Sequence, residues 1–180
     1  MNTVYDIFSS SKEKYGAHSF LHIPANSAQN YHDGDIDYTY DETGTEITKL
    51  ISIYEQNGYG SNHRVGLLLE NRAAFFFHWL ALNALGVSVV PLNGDFPKKE
   101  LAYIISHSEL NLVISLDEKE DHINTAIDQC HHKCPLVCLS DIENIPNVTG
   151  VETRKKPNEN TECAMLYTSG STGNPKGCIL

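Results

Sequence analysis

Arg64-Val-Gly-Leu-Leu-Leu-Glu70 is the stretch on which the fold turns: between two charged ends, five residues run without a polar side chain. A strand with one face in water alternates apolar with polar residues, so an unbroken run fits a strand covered on both faces. The segments that follow repeat the theme. Residues 73–85 read as a helix, with Asn71 as its cap and Gly86 closing it. Residues 87–92 are the next buried strand. A helix starts at Asp95-Phe96-Pro97, where proline is tolerated at the first helical position, and turns Leu101, Ile104, Ile105 and Ser108 inward. Residues 111–116 form a strand, 117–131 a helix with Ile123, Ala126 and Ile127 inward, and 135–139 a strand. Strand and helix in alternation favour parallel pairing. The expected class is therefore α/β, a mostly parallel sheet flanked by helices on both faces.

Toward the N-terminus, residues 3–15 place Val4, Ile7, Phe8 and Tyr15 at helical spacing. A short strand at 20–23, a polar loop at 26–37 and a strand at 37–40 follow. Thr43-Gly-Thr-Glu46 fits a capping box, so a helix is expected from near Thr43, with Ile47, Leu50, Ile51 and Tyr54 as its apolar face. Gly58 and Gly60 end it. In the other direction, residues 140–162 are polar, hold Pro146 and Pro157, and carry Arg154-Lys155-Lys156. They read as a surface connection whose basic trio is simply solvated.

Composition narrows the function. The chain has 180 residues, enough for one domain with a proper core, and its 41% hydrophobic content is that of an ordinary globular protein. A net charge of −10 argues against nucleic acid as a partner, because a phosphate backbone needs a basic face. Five cysteines are an odd number, which speaks against a disulfide framework. The first residues lack the basic and apolar regions of a secretory signal, so the cytoplasm is the expected location. Residues 73–92 are long enough to span a membrane, but His78, Asn83 and Ser88 interrupt them and Gly86 divides them. Helix, turn and buried strand is the reading, with no membrane span.

Near the C-terminal end, Tyr167-Thr-Ser-Gly-Ser-Thr-Gly-Asn-Pro-Lys-Gly177 follows an apolar strand beginning at Cys163. Glycines let a backbone turn sharply and approach a ligand closely, and successive N–H groups in such a turn form a concave nest for an anion. The hydroxyls of Thr168, Ser169, Ser171 and Thr172 add donors, and Lys176 adds a mobile positive charge. This chemistry suits phosphate. It is not a Walker A loop, in which lysine directly follows glycine and precedes serine or threonine. Here Lys176 follows Pro175 and precedes Gly177, and the apolar residues 178–180 predict strand–loop–strand.

The ordered string T-S-G-S-T-G-x-P-K-G resembles the phosphate-loop signature of the adenylate-forming (AMP-binding) superfamily, which includes acyl-CoA synthetases, peptide-synthetase adenylation domains and luciferases. Tyr38-Thr-Tyr40, the run 64–71, Leu85-Gly-Val-Ser-Val-Val-Pro-Leu-Asn93 and residues 100–114 are each similar to segments of that family, so the likeness covers roughly residues 38–180. The resemblance implies a partial domain over residues 1–180: an N-terminal helix and loop to 37, an α/β core to 150, then the connection and phosphate loop. It implies an ATP-dependent, AMP-forming ligase that activates a carboxylic acid as its acyl-adenylate and passes it to coenzyme A. A peptide-synthetase-type domain delivering to a carrier protein is the alternative within the family, and a non-catalytic nucleotide-binding fragment the alternative outside it. Carried over position by position, Thr168, Ser169, Gly170, Ser171, Thr172, Gly173 and Lys176 hold the ATP phosphates, with Thr172 also placed to contact Mg²⁺. Tyr167 packs rather than reacts. Family members are much longer, and their catalytic residues lie beyond Leu180, so no catalytic residue is expected here and the chain alone is expected not to turn over.

Two other constellations carry less. Cys130-His131-His132-x-Cys134-x-x-x-Cys138 lacks the C-x₂-C spacing of common zinc sites, so its thiols read as small hydrophobes. His78 has no nucleophile or carboxylate motif beside it and reads as a helix histidine on the less buried face.

Overall fold

The apolar run at 64–68 lies between two parallel neighbours and is covered on both sides. In the computed structural model, which describes residues 3–28, 31–149, 156–168 and 175–180, the chain begins with α1 (Val4–Tyr15), β1 (Ser19–Ile23), the single turn α2 (Ala25–Ala28), β2 (Ile36–Thr39) and α3 (Tyr40–Gln56). There follow β3 (Arg64–Leu68), α4 (Ala73–Ala84), β4 (Ser88–Pro91), α5 (Lys98–His107), β5 (Leu112–Ser115), α6 (Glu120–Ile127) and β6 (Leu136–Cys138). The last elements are β7 (Met165–Thr168) and β8 (Lys176–Ile179). The central sheet has the order β4–β3–β5–β6, all parallel, while β1–β2 and β7–β8 are antiparallel pairs. The expected α/β class holds.

Alternate residues of each strand serve different cores. Val65 and Leu67 of β3, Val89 of β4, and Leu112 and Ile114 of β5 join the core that α1, α3 and α4 cover through Phe8, Ile47, Tyr54, Phe77 and Ala81. Leu68, Val90 and Val113 face the other way, against Leu101, Ile104 and Ile105 of α5 and Ile123 and Ala126 of α6. Helices on both faces explain the absence of polar alternation. Each fully buried leucine or isoleucine side chain in these layers contributes about 1.5–3 kcal/mol. Residues 73–92 form helix, turn and strand, with Gly86 at a φ of +76° making the reversal. Among the described residues no helix is long and apolar enough to cross a membrane.

Several local expectations need correction. Helix α3 begins at Tyr40, not near Thr43. Its capping box is Thr39 with Glu42: the Glu42 N–H donates to Thr39 Oγ1 at 3.2 Å, and the Thr39 N–H donates to Glu42 Oε2 at 2.8 Å. Thr43 lies inside the helix, fully buried, and its hydroxyl has no partner among the described residues. Thr39→Ala is therefore expected to cost about 1 kcal/mol, whereas Thr43→Val removes a buried unsatisfied hydroxyl and should be neutral or stabilising. Urea unfolding of the two variants checks the assignment. Helix α4 starts after Arg72 with no side-chain cap, so Asn71 is not its cap. In α1 only Phe8 is buried; Val4, Ile7 and Tyr15 stay exposed, because Phe20 and Tyr40 close over Phe8 alone, with ring centroids 5.1 and 5.9 Å away. Helix α6 stops at Ile127, short of the expected His131, and a 3-10 turn at Asp117–Lys119 precedes it.

The stretch after β6 is tied to the domain, not draped over it. Ile145 is buried, Tyr59 Oη donates to the Pro146 carbonyl at 3.2 Å, and the Val148 N–H donates to the Asn57 carbonyl at 3.0 Å. Arg154 and Lys155 of the basic trio lie outside the described residues; Lys156 is exposed. His78 is buried, not on the less buried face: its Nδ1 is 2.6 Å from the hydroxyl of the equally buried Tyr54. Packing by α3 over α4, invisible to the periodicity of α4, puts it inside.

Candidate functional site

Strand β7 sets the site's position. It runs parallel to β4, joined through the Val89–Ala164 bridge and a 3.2 Å hydrogen bond from the Val89 N–H to the Cys163 carbonyl. Its Thr168 end therefore points the same way as the carboxyl ends of β3, β4 and β5, where ligands of open parallel sheets collect. Strand β8 returns antiparallel, pairing Thr168 with Lys176 and Tyr167 with Gly177. The two strands of the expected strand–loop–strand are present. Thr168 and Lys176 are exposed at the two stems, and Pro175, which fixes φ just before the lysine, is buried. Ser169, Gly170, Ser171, Thr172 and Gly173 lie outside the described residues. No described carboxylate is ion-paired with Lys176.

Side chains that sequence reading passed over anchor these stems. Arg64 at the start of β3 holds Glu162, two residues before the β7 bridge, through two bonds of 2.8 and 2.9 Å, and also donates to the Ser108 carbonyl. The Arg64 guanidinium holds the Glu162 carboxyl below the usual carboxylate range. Asn83 of α4 donates to the carbonyls of Cys163 and Val87 at 2.9 and 3.1 Å, and Trp79 Nε1 donates to its side-chain oxygen at 2.8 Å. Asn83, which interrupts an apolar run in the sequence, thus ties α4 to the root of β7. At the other end of β7, the Tyr167 hydroxyl is 2.7 Å from Nδ1 of His107 at the end of α5. Burial pushes the Tyr167 phenol up, so it stays protonated and packs, as expected. The partners Arg64 with Glu162, Asn83 with Cys163 and His107 with Tyr167 could not be matched from spacing. They lie 98, 80 and 60 residues apart in sequence, and only the tertiary fold brings such groups together.

At the carboxyl ends of β3 and β4, a cleft of about 580 Å³ is lined by Glu70, Asn71 and Arg72 after β3, Asn93, Gly94 and Asp95 after β4, and Phe75 and Phe76 of α4. The Arg72 guanidinium lies over the Tyr31 ring, 4.6 Å from its centroid. Two ion pairs, Arg72–Glu118 and Glu70–Lys119, join the turn after β3 to the turn after β5. Those are adjacent strands whose following helices go to opposite faces, so the crevice that usually opens there is bridged by charge. The open space lies at the turns after β3 and β4.

Of the cysteine-rich segment, Cys134 and Cys130 pack as small apolar groups in the core under α5 and α6. Cys134 is buried, and burial pushes its thiol up to about 12; the five cysteines are free. Among the described residues no three histidine, cysteine or acidic side chains converge on a metal position.

Residues 18–180 match the family described as AMP-binding enzyme, and the chain belongs to that family. It is 28% identical over 157 residues to crotonobetaine/carnitine–CoA ligase of Proteus mirabilis (strain HI4320), covering 79% of this chain and 30% of that protein. It is 28% identical over 144 residues to gramicidin S synthase 1 of Brevibacillus brevis, covering 79% of this chain and 12% of that protein. The chain thus spans less than a third of the length of these relatives. Among solved structures, the N-terminal domain of FACL13 from Mycobacterium tuberculosis superposes with a TM-score of 0.78 at 16% identity, over 100% of this chain and 44% of that one. The luciferase-like enzyme of the nonluminescent Zophobas morio mealworm gives 0.81 at 17% identity, over 99% and 42%. At these identities the structural likeness is one of fold.

Proposed function

We propose that this chain supplies the N-terminal, phosphate-holding part of an ATP-dependent, AMP-forming carboxylate ligase. A carboxylate oxygen attacks the α-phosphorus of ATP, the bond to the β-phosphate bridging oxygen breaks, and pyrophosphate leaves as the acyl-adenylate forms. Charge builds on the departing pyrophosphate, and fixed donors aimed at it lower the barrier. Thr168, Ser169, Gly170, Ser171, Thr172 and Gly173 supply hydroxyl and backbone donors, and Lys176 the positive charge. Mg²⁺ ordinarily binds through substrate phosphates and few protein groups, and Thr172 is its contact in this reading. The observation that carries the proposal is the pairing of Thr168 with Lys176 at the carboxyl end of the sheet, on either side of the S-G-S-T-G string.

Coenzyme A is the proposed acceptor, on the likeness to a CoA ligase. The likeness to gramicidin S synthase 1 supports the second reading, delivery of the acyl group to a carrier protein. Free thiols throughout fit the reducing cytoplasm, where we place the protein. A displacement experiment tests the phosphate assignment. With a fluorescent ATP analogue and Mg²⁺ bound, pyrophosphate should compete and AMP should compete far less, because the donors are assigned to the leaving phosphates. Competition by neither, or by AMP alone, would refute it.

A further inference from the structure

The two stems of the loop are held by a contact outside the phosphate chemistry. Tyr167 and Gly177 face one another across β7 and β8. Gly177 has no side chain, and the end of Met165 together with the Tyr167 ring fills the space: a Cβ at 177 would sit 2.3 Å from Met165 Cε and 3.2 Å from Tyr167 Cζ. A side chain at 177 would thus press on the Tyr167 ring and displace the flexible end of Met165. On its other side the phenol meets His107, with Oη and Nδ1 2.7 Å apart and the rings edge to face at 5.8 Å. His107 is itself stacked on Tyr103, one turn earlier in α5, at 5.3 Å. Helix α5 is fixed to the sheet through the buried Leu101, Ile104 and Ile105, so His107 stands on a rigid element. The next residue pair beyond Tyr167 and Gly177 is Thr168 and Lys176.

We propose that His107 is a positioning residue for the anion loop: through the Tyr167 hydroxyl it fixes the β7–β8 stems and with them the Lys176 ammonium. This rests on the phosphate reading above. Held groups bind more tightly than mobile ones because less freedom is lost on binding. The tyrosine hydroxyl can donate to a neutral imidazole or accept from a protonated one, so the contact does not depend on one tautomer.

The test is titration calorimetry with pyrophosphate and Mg²⁺ on the chain and its variants, with melting temperatures read alongside. His107→Leu and Tyr167→Phe should each weaken affinity roughly threefold to tenfold, the range one hydrogen bond supplies. The double variant should bind no more weakly than the worse single, since both remove the same bond. His107→Asn, whose short amide can reach the position of Nδ1, should recover most of the loss. Wild-type affinity in both single variants, with affinity lost in Lys176→Ala, would overturn the positioning role and leave the phosphate reading standing. Additive losses, or failure of His107→Asn to recover with melting temperatures lowered in parallel, would also overturn it. If Lys176→Ala too binds as wild type, the phosphate reading falls and the positioning role falls with it.

Discussion

The protein should lose on the order of 4 kcal/mol of stability between pH 7.5 and pH 3 through His78 alone. Burial holds the folded-state pKa of this imidazole down at about 3, against an ordinary value of 6.5, and each unit is worth about 1.4 kcal/mol. Between those values the unfolded chain binds a proton that the folded chain excludes. The contribution is therefore complete above pH 6.5 and drains away as pH falls toward 3. His63, also lowered by burial, acts in the same direction, as does Glu162, whose depressed carboxyl stabilises the fold only while ionised. The His78 share can be isolated. In His78→Leu combined with Tyr54→Phe, both partners of the buried 2.6 Å bond disappear, so no unsatisfied hydroxyl remains. Urea unfolding at pH 6, 5 and 4 should show a slope shallower than wild type by about 1.4 kcal/mol per pH unit, the signature of one proton. Equal slopes would mean that His78 is not excluded from water as the packing of α3 on α4 implies. Since a domain of this kind has only about 5–15 kcal/mol in hand, acid unfolding should set in well before the carboxylates alone would bring it about.

The same histidine shows where sequence reading stops. Strand β3 is legible because its signal is local: five residues without polar alternation demand cover on two faces, and both cores are there. The turn at Gly86 is legible because positive φ favours a residue without Cβ. The start of α3 is ambiguous in principle, since Thr39–Glu42 and Thr43–Glu46 both satisfy the capping pattern and only the end of β2 at Thr39 selects between them. His78 reads as lying on the less buried face because the group that buries it, Tyr54, sits on another helix 24 residues away. Asn83, Glu162 and His107 belong to the same class: each is an unremarkable polar residue in sequence, and each acquires its role from a distant partner. Within the candidate site, the residues proposed to meet a ligand come from the motif, whereas the ones that hold its stems show no signal in the sequence.

The second large effect is expected at Lys176. It is exposed at the first position of β8, opposite Thr168, and no described carboxylate competes for its charge. A hydrogen bond to a charged group is worth about 1.5–3 kcal/mol, so truncation to alanine should weaken pyrophosphate binding by roughly tenfold to a hundredfold. Because the side chain is solvent-exposed and outside both cores, folding should be untouched. Arginine at this position keeps the charge but replaces a compact ammonium with a planar fork, and should recover only part of the affinity. The reading of this chain as the phosphate-holding part of an adenylate-forming ligase is tested most directly by calorimetric titration of pyrophosphate, with Mg²⁺, into wild type and Lys176→Ala. The expected result is saturable binding by the wild type and at least a tenfold weaker constant in the variant; equal constants, or no saturable binding by either, would contradict it.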